Sequence, residues 1–332
     1  MKICFFDAHQ FEEDIFTKVN EGHHFEMTFV KSHLSPQTAI LAKDHEVVCV
    51  FTNDKVNREV LESLKENGIG LVALRCAGFN QIDVAAANEM GIKVVRVPEY
   101  SPYAIAEHVT ALILTLNRKI HKAYNRVREG NFSLDGLVGF DLHQKTIGVI
   151  GTGKIGLVLT QIMKGFGMNV LAYDKFPNEE AAKSIGFKYT TLDEVLGLSD
   201  IISLHVPLNE ETFHLIDRKR LFQMKKGVMI INTGRGGLIE TSSLIEFLKN
   251  GHIGSAGLDV YEEEEEYFFK DLSSRVLTDD ILARLLTFPN VLLTSHQGFL
   301  TNEALQNIAQ TTLESVDDYK NNRPLKNQVT VQ

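Results

Sequence analysis

Three groups suited to a small carbonyl acid stand just after apolar, β-rich runs in the second half of this chain. They are Arg235 in Asn232-Thr233-Gly234-Arg235-Gly236, the acidic run Glu262–Glu266, and His296 in Thr294-Ser295-His296. A guanidinium matches a carboxylate through two parallel hydrogen bonds, and flanking glycines let backbone fold closely around a small ligand. A histidine exchanges protons near neutral pH, and a glutamate turned toward it would orient the ring and favour its protonated form, the proton source that reduction of a carbonyl requires. Each group also has a plainer reading. Arg235 could sit in a surface salt bridge, His296 is one of 12 histidines, and an acidic run is ordinarily a solvated loop. Spacing does not say which glutamate would face His296.

A second constellation lies upstream, in residues 145–174, KTIGVIGTGKIGLVLTQIMKGFGMNVLAYD. It has the order strand, glycine turn, helix, strand, terminal acid. Gly151 permits a tight bend, Gly153 lets the backbone approach a pyrophosphate, and Gly156 lets the helix pack close on the strand. The N–H groups and dipole at the helix start suit phosphates. Asp174 falls 23 residues after Gly151, directly after the apolar run Asn169–Tyr173, where it can accept hydrogen bonds from ribose hydroxyls. That arrangement favours NAD over NADP, whose 2′-phosphate the acid would repel. A methyltransferase using S-adenosylmethionine shares the glycine turn and the acid, but it has no need of an arginine, a glutamate and a histidine on consecutive strand ends.

The elements that must position these groups follow from patterning. Lys2–Phe6, Phe25–Val30, Val47–Phe51, Leu71–Arg75 and Lys93–Val97 are strand-like runs alternating with amphipathic stretches, which predicts a parallel α/β domain. Ser101-Pro102 caps a long helical run through His108, Leu112 and Leu116 toward Tyr124, expected to connect two lobes. A second series then gives strands ending near Ile150, Tyr173, Leu204, Ile231, Leu258 and Leu293. Thr301–Lys320 has helical periodicity and is long enough to return to the first lobe. The expected fold class is α/β, with two Rossmann-like doubly wound parallel-sheet domains and a cleft between them. Residues 1–100 and 300–332 would form a flavodoxin-like substrate domain, and residues 101–299 the NAD-binding domain. Ligands of such sheets sit beyond the carboxyl ends of the strands. That rule adds His205-Val206-Pro207, Arg75 to Phe79 and Pro98-Glu99-Tyr100 to the candidate rim, with His205 lining the cofactor side.

Composition excludes several classes. The chain has 332 residues, 44% of them hydrophobic, and a formal charge of −9, with no basic run to meet nucleic acid or an anionic membrane. No stretch reaches the length of a membrane span, and MKICFFDAH reads as a strand rather than a secretory signal. Cys4, Cys49 and Cys76 are too scattered for a disulfide framework or a zinc site, so no metal is expected, and reduced thiols in a cytoplasmic protein are.

Seven segments in order, RCAGFNQID, RVPEYSPYAIAEH, GVIGTGKIG, SLHVPL, INTGRGGLI, GLDVYEEEEEYFF and TSHQGFLT, make the chain resemble the D-specific 2-hydroxyacid dehydrogenases over essentially its whole length. Within that family it is most similar to the fermentative D-lactate dehydrogenase branch. The resemblance implies that Arg235 binds the substrate carboxylate, that His296 is the general acid/base, and that Glu264 pairs with it. It further implies that Ala77 and Gly78 offer backbone donors, that Tyr100 and Phe299 close the pocket, and that Gly151, Gly153, Lys154, Ile155, Gly156, Asp174, His205, Val206, Pro207, Thr233 and Asp259 surround NAD. The implied reaction is reversible reduction of pyruvate to D-lactate by NADH in a homodimer or larger homo-oligomer, with D chirality resting on the resemblance alone. A longer or aromatic 2-oxoacid is the alternative substrate, and an NAD-sensing regulator the alternative role. Gly234 and Gly298 stand where the family more often has alanine or serine, and no proline precedes His296 as it does in glycerate- and formate-type relatives. Neither departure removes a catalytic group.

Overall fold

A computed structural model describes residues 1–330, and the chain divides into two compact units, Met1–Ser101 with Leu300–Gln332, and Pro102–Phe299. The first unit holds five strands, β1 (Lys2–Phe5), β2 (Glu26–Phe29), β3 (Val47–Val50), β4 (Leu71–Leu74) and β5 (Lys93–Arg96). They form an all-parallel sheet in the order β2-β1-β3-β4-β5. Central strands such as β3 and β4 are buried along their whole length, which is why they read as unbroken apolar runs rather than alternating ones. One face packs on helices Arg58–Glu66 and Val84–Glu89 through Val60, Leu61, Leu64, Ala86 and Ala87. Gln10–Asn20 packs against Asn302–Lys320, which also contacts β4, so both chain ends contribute to this unit. The Thr301 hydroxyl caps that last helix by accepting from the Ala304 N–H.

Arg75, at the end of β4, lies in the interior of the first unit, only 1% exposed. Its Nε and Nη2 grip the Glu12 carboxylate at 2.6 and 3.0 Å. The same guanidinium donates to the carbonyls of Phe6 and Asp7 at 2.9 and 2.8 Å and lies over the Phe51 ring. An arginine that sequence position offers to the rim is therefore a pin joining the ends of β1, β3 and β4.

The second unit carries β6 (Thr146–Ile150), β7 (Asn169–Tyr173), β8 (Lys188–Tyr189), β9 (Ile201–Leu204), β10 (Val228–Asn232), β11 (Ile253–Leu258) and β12 (Val291–Leu293). All pair in parallel, in the order β12-β11-β10-β9-β6-β7-β8. The order reverses beside β6, which borders both β7 and β9; that reversal is the switch point where doubly wound sheets bind ligands. Six strands were expected and seven are present, because two-residue β8 is too short to leave a periodic signature.

The long run after Ser101 is also two helices rather than one, Pro102–Arg118 and Ile120–Arg128, broken at Lys119, whose backbone is left-handed with φ 51°. No glycine or proline marks that break. Side chains anchor the segment that follows: Asn117 exchanges two hydrogen bonds with the Phe140 backbone, and Lys119 donates to the carbonyls of Gly136 and Val138. Among the described residues no helix is long and apolar enough to cross a membrane.

Candidate active site

The three chemistry-bearing groups of the second unit all sit where strands end. Arg235 follows β10 and is half-buried between Gly234 and Gly236. Gly236 could not be larger, since a Cβ there would fall 2.1 Å from the Tyr261 carbonyl carbon. The guanidinium donates to the Gly234 carbonyl at 2.7 Å, and among the described residues no carboxylate pairs with it. The surface salt bridge, its plainer reading, is absent from those residues.

His296 follows β12 in a left-handed backbone conformation, φ 48°, which a non-glycine residue adopts only when its surroundings impose it. Its N–H donates to the Asp259 carbonyl at 2.7 Å. Its Nδ1 lies 2.7 Å from Glu264 Oε1, and Glu264 Oε2 in turn accepts from the Tyr261 N–H at 2.9 Å. Because an ionised carboxylate only accepts, Nδ1 carries the hydrogen and Nε2 is left for chemistry. The acidic run is sorted by these contacts. Glu263, Glu265 and Glu266 are exposed, Glu264 meets His296, and Glu262 also turns inward, binding His214 Nε2 at 2.6 Å and the Thr241 hydroxyl at 2.8 Å.

Around the glycine turn, Gly151 has φ 96°, and a Cβ on it would lie 2.6 Å from the His205 carbonyl oxygen; one on Gly156 would lie 2.1 Å from that of Gly151. Both are glycine because the fold leaves no room. Gly153 differs, with nothing within 4 Å of where its Cβ would be and φ −65°, open to any residue. No side chain caps the helix Lys154–Gly165 that starts there. Asp174, at the end of β7, accepts from the Thr152 N–H and hydroxyl on Oδ2 and from the Phe176 N–H on Oδ1, so its position is fixed by the chain itself. His205, at the end of β9, shares a 2.8 Å hydrogen bond with Ser203, and burial pushes its pKa down to about 4, leaving it uncharged at neutral pH. Lys154 and Pro207 are exposed, Ile155 and Val206 half-buried. Thr233, after β10, is 9% exposed, and its hydroxyl is buried without a hydrogen-bond partner among the described residues. Asp259 is 1% exposed and accepts from Thr294, Gln297 and Gly298.

In the first unit, Ala77 and Gly78 follow β4 and are half-buried. The Ala77 carbonyl takes a 2.7 Å hydrogen bond from Arg96, while the N–H groups of both residues have no acceptor among the described residues. The Tyr100 carbonyl accepts from Asn307 at 2.6 Å. In the second unit, Phe299 is buried just beyond His296.

Residues 110–298 match the model of the D-isomer specific 2-hydroxyacid dehydrogenase NAD binding domain. A 2-hydroxyacid dehydrogenase homologue of Schizosaccharomyces pombe is 51% identical, with 98% of each chain covered. The D-lactate dehydrogenase of Escherichia coli is 49% identical over 99% of this chain and all of its own. The chain belongs to the D-isomer-specific 2-hydroxyacid dehydrogenase family. It is an NAD-dependent oxidoreductase, which removes the methyltransferase reading of the glycine turn. The fold agrees: the apo structure of the Escherichia coli D-lactate dehydrogenase superimposes with a TM-score of 0.92, at 47% identity over 99% of this chain and 100% of that one.

The residues of this dehydrogenase fit NAD. Gly153 is the one glycine of the turn that the chain's own packing does not demand, and the open space before an uncapped helix start is what a pyrophosphate needs. The orphaned Thr233 hydroxyl supplies a polar partner at the next strand end but one. Sequence reasoning passed over His108, whose Nε2 lies 3.2 Å from both Thr294 Oγ1 and Asp259 Oδ1. It closes the segment RVPEYSPYAIAEH, but its position mid-helix, away from the strand ends, assigns it no chemistry.

Proposed function

We propose that this dehydrogenase reduces pyruvate to D-lactate, and that the half-buried guanidinium of Arg235, with no acidic partner among the described residues, is the observation carrying the reading. A substrate carboxylate would take both arms of that fork, which also polarises the neighbouring carbonyl. NADH, when bound, supplies the hydride. His296 Nε2 gives a proton to the carbonyl oxygen, and Glu264, held by the Tyr261 N–H, fixes the ring through Nδ1. Ala77, Gly78 and Tyr100 keep the substrate-binding roles that the family resemblance implies for them, and Phe299, three residues beyond His296, favours a small acid. Lys154, Ile155, Val206, Pro207 and Asp259 keep the cofactor-surrounding roles expected of them, and Asp174 selects NAD through the ribose.

The test is a panel of 2-oxoacids followed by NADH absorbance. Pyruvate is expected to give the highest kcat/KM, with phenylpyruvate and branched 2-oxoacids slower and NADPH a poor substitute for NADH. A branched or aromatic acid turned over faster than pyruvate would overturn the substrate assignment.

We also infer that the enzyme is a homo-oligomer. Ile120, Tyr124 and Val127, with Phe132, Leu134 and Val138 on the segment held along that helix, are all more than half exposed. Arg126 donates to the Asp135 carbonyl, so helix and segment form one surface. An apolar patch of this kind marks an interface, and a second copy is the partner proposed. Light scattering is expected to give at least twice the monomer mass; a monomer at micromolar concentration would contradict this.

A further inference from the structure

His108 stands on the helix Pro102–Arg118, 186 positions before Thr294 in sequence. Its imidazole nevertheless reaches the base of the His296 turn. The Thr294 hydroxyl donates to Asp259 Oδ1 at 2.5 Å, so its one hydrogen is committed. The 3.2 Å approach of His108 Nε2 to Thr294 Oγ1 and Asp259 Oδ1 therefore requires Nε2 to carry a hydrogen and to share it between the two.

Asp259 is the hub of this turn. Its carboxylate also accepts from the N–H groups of Gln297 at 2.9 Å and Gly298 at 2.8 Å, and its backbone carbonyl accepts from His296. Every backbone N–H from His296 to Gly298 is thus bound to one aspartate, which holds the catalytic histidine in its left-handed conformation. Burial would raise the Asp259 carboxyl, but the hydrogen bonds from His108, Thr294 and Gln297 hold it below the usual carboxylate range. Gly298 packs against the same pair: a Cβ there would lie 3.0 Å from Asp259 Oδ2 and 3.4 Å from the His108 ring.

We propose that His108 is a positioning residue for the reaction, fixing Asp259 and Thr294 so that the turn they carry aims His296 Nε2. This rests on the proposed role of His296. Displacing a catalytic group by a fraction of an ångström lowers turnover without abolishing ligand binding.

The experiment compares His108→Leu, His108→Gln and Thr294→Val, each alone and combined with His296→Gln, for kcat, pyruvate KM and the NADH Kd from fluorescence titration. His108→Leu is expected to lower kcat between about 10- and 100-fold, with a much smaller change in the NADH Kd, Asp259 being also a proposed cofactor neighbour. His108→Gln, which keeps an N–H donor, should recover most of that loss, and Thr294→Val should lower kcat less. In the His296→Gln background, neither lesion should cost more, because the group they aim is gone. A wild-type kcat in His108→Leu, or an equal loss in the His296→Gln background, would overturn the proposal. If His108→Leu fails to fold, Thr294→Val carries the same comparison. A wild-type kcat in His296→Gln alone would instead remove the proposed role of His296.

Discussion

Replacing His296 by Gln is expected to lower kcat for 2-oxoacid reduction by about two to four orders of magnitude, the usual scale for loss of a general acid/base. That corresponds to roughly 3–5 kcal/mol of barrier. An amide of similar reach can still meet Glu264, which sits 2.7 Å from Nδ1, but it has no proton to release. The loss should therefore fall on kcat, with the NADH Kd close to wild type, because the glycine turn at Gly151, Gly153 and Gly156 is untouched. Steady-state rates and a fluorescence titration separate the two. A kcat within threefold of wild type would mean that the proton comes from another group.

Replacing Arg75 by Leu is expected to destabilise the protein by about 3–5 kcal/mol, because it leaves Glu12 buried without its partner. Glu12 is 4% exposed, and Arg75 supplies both of its ionic hydrogen bonds. The same change strips a charged donor from the Phe6 and Asp7 carbonyls. Against a total stability of roughly 5–15 kcal/mol, the loss is large enough to lower the urea midpoint by about 1 M or more. Adding Glu12→Leu should restore part of the loss, since the stranded charge is its main source. A midpoint unchanged in Arg75→Leu would show that the pair adds nothing to the fold.

Arg75 also shows what sequence position can and cannot tell. It stands one residue from Cys76-Ala77-Gly78 at a strand end, where chemistry gathers, yet its side chain turns inward because Glu12 and two carbonyls await it, partners 63 to 69 residues away. The strands themselves were legible: β1, β3, β4, β6 and β9 are short apolar runs buried along nearly their whole length, and they fall where patterning put them. The glycine turn was legible because its spacing is local, and at Gly156 so is the steric demand, which comes from the Gly151 carbonyl; at Gly151 it comes from the distant His205 carbonyl. Long-range pairing was not. The break at Lys119 depends on anchors at Gly136, Val138 and Phe140, and the inward turn of Glu262 depends on His214 and Thr241. The hub at Asp259 joins a helix residue, His108, to a turn nearly two hundred positions later, and no periodicity records that.

The proposed reaction moves a hydride and a proton onto pyruvate to give the D-hydroxy acid. Purified enzyme incubated with excess NADH and pyruvate, with the product resolved by chiral chromatography, tests it most directly. D-lactate formed in equal amount to the NADH consumed is the predicted result. L-lactate, or no lactate while another 2-oxoacid is reduced, would contradict it.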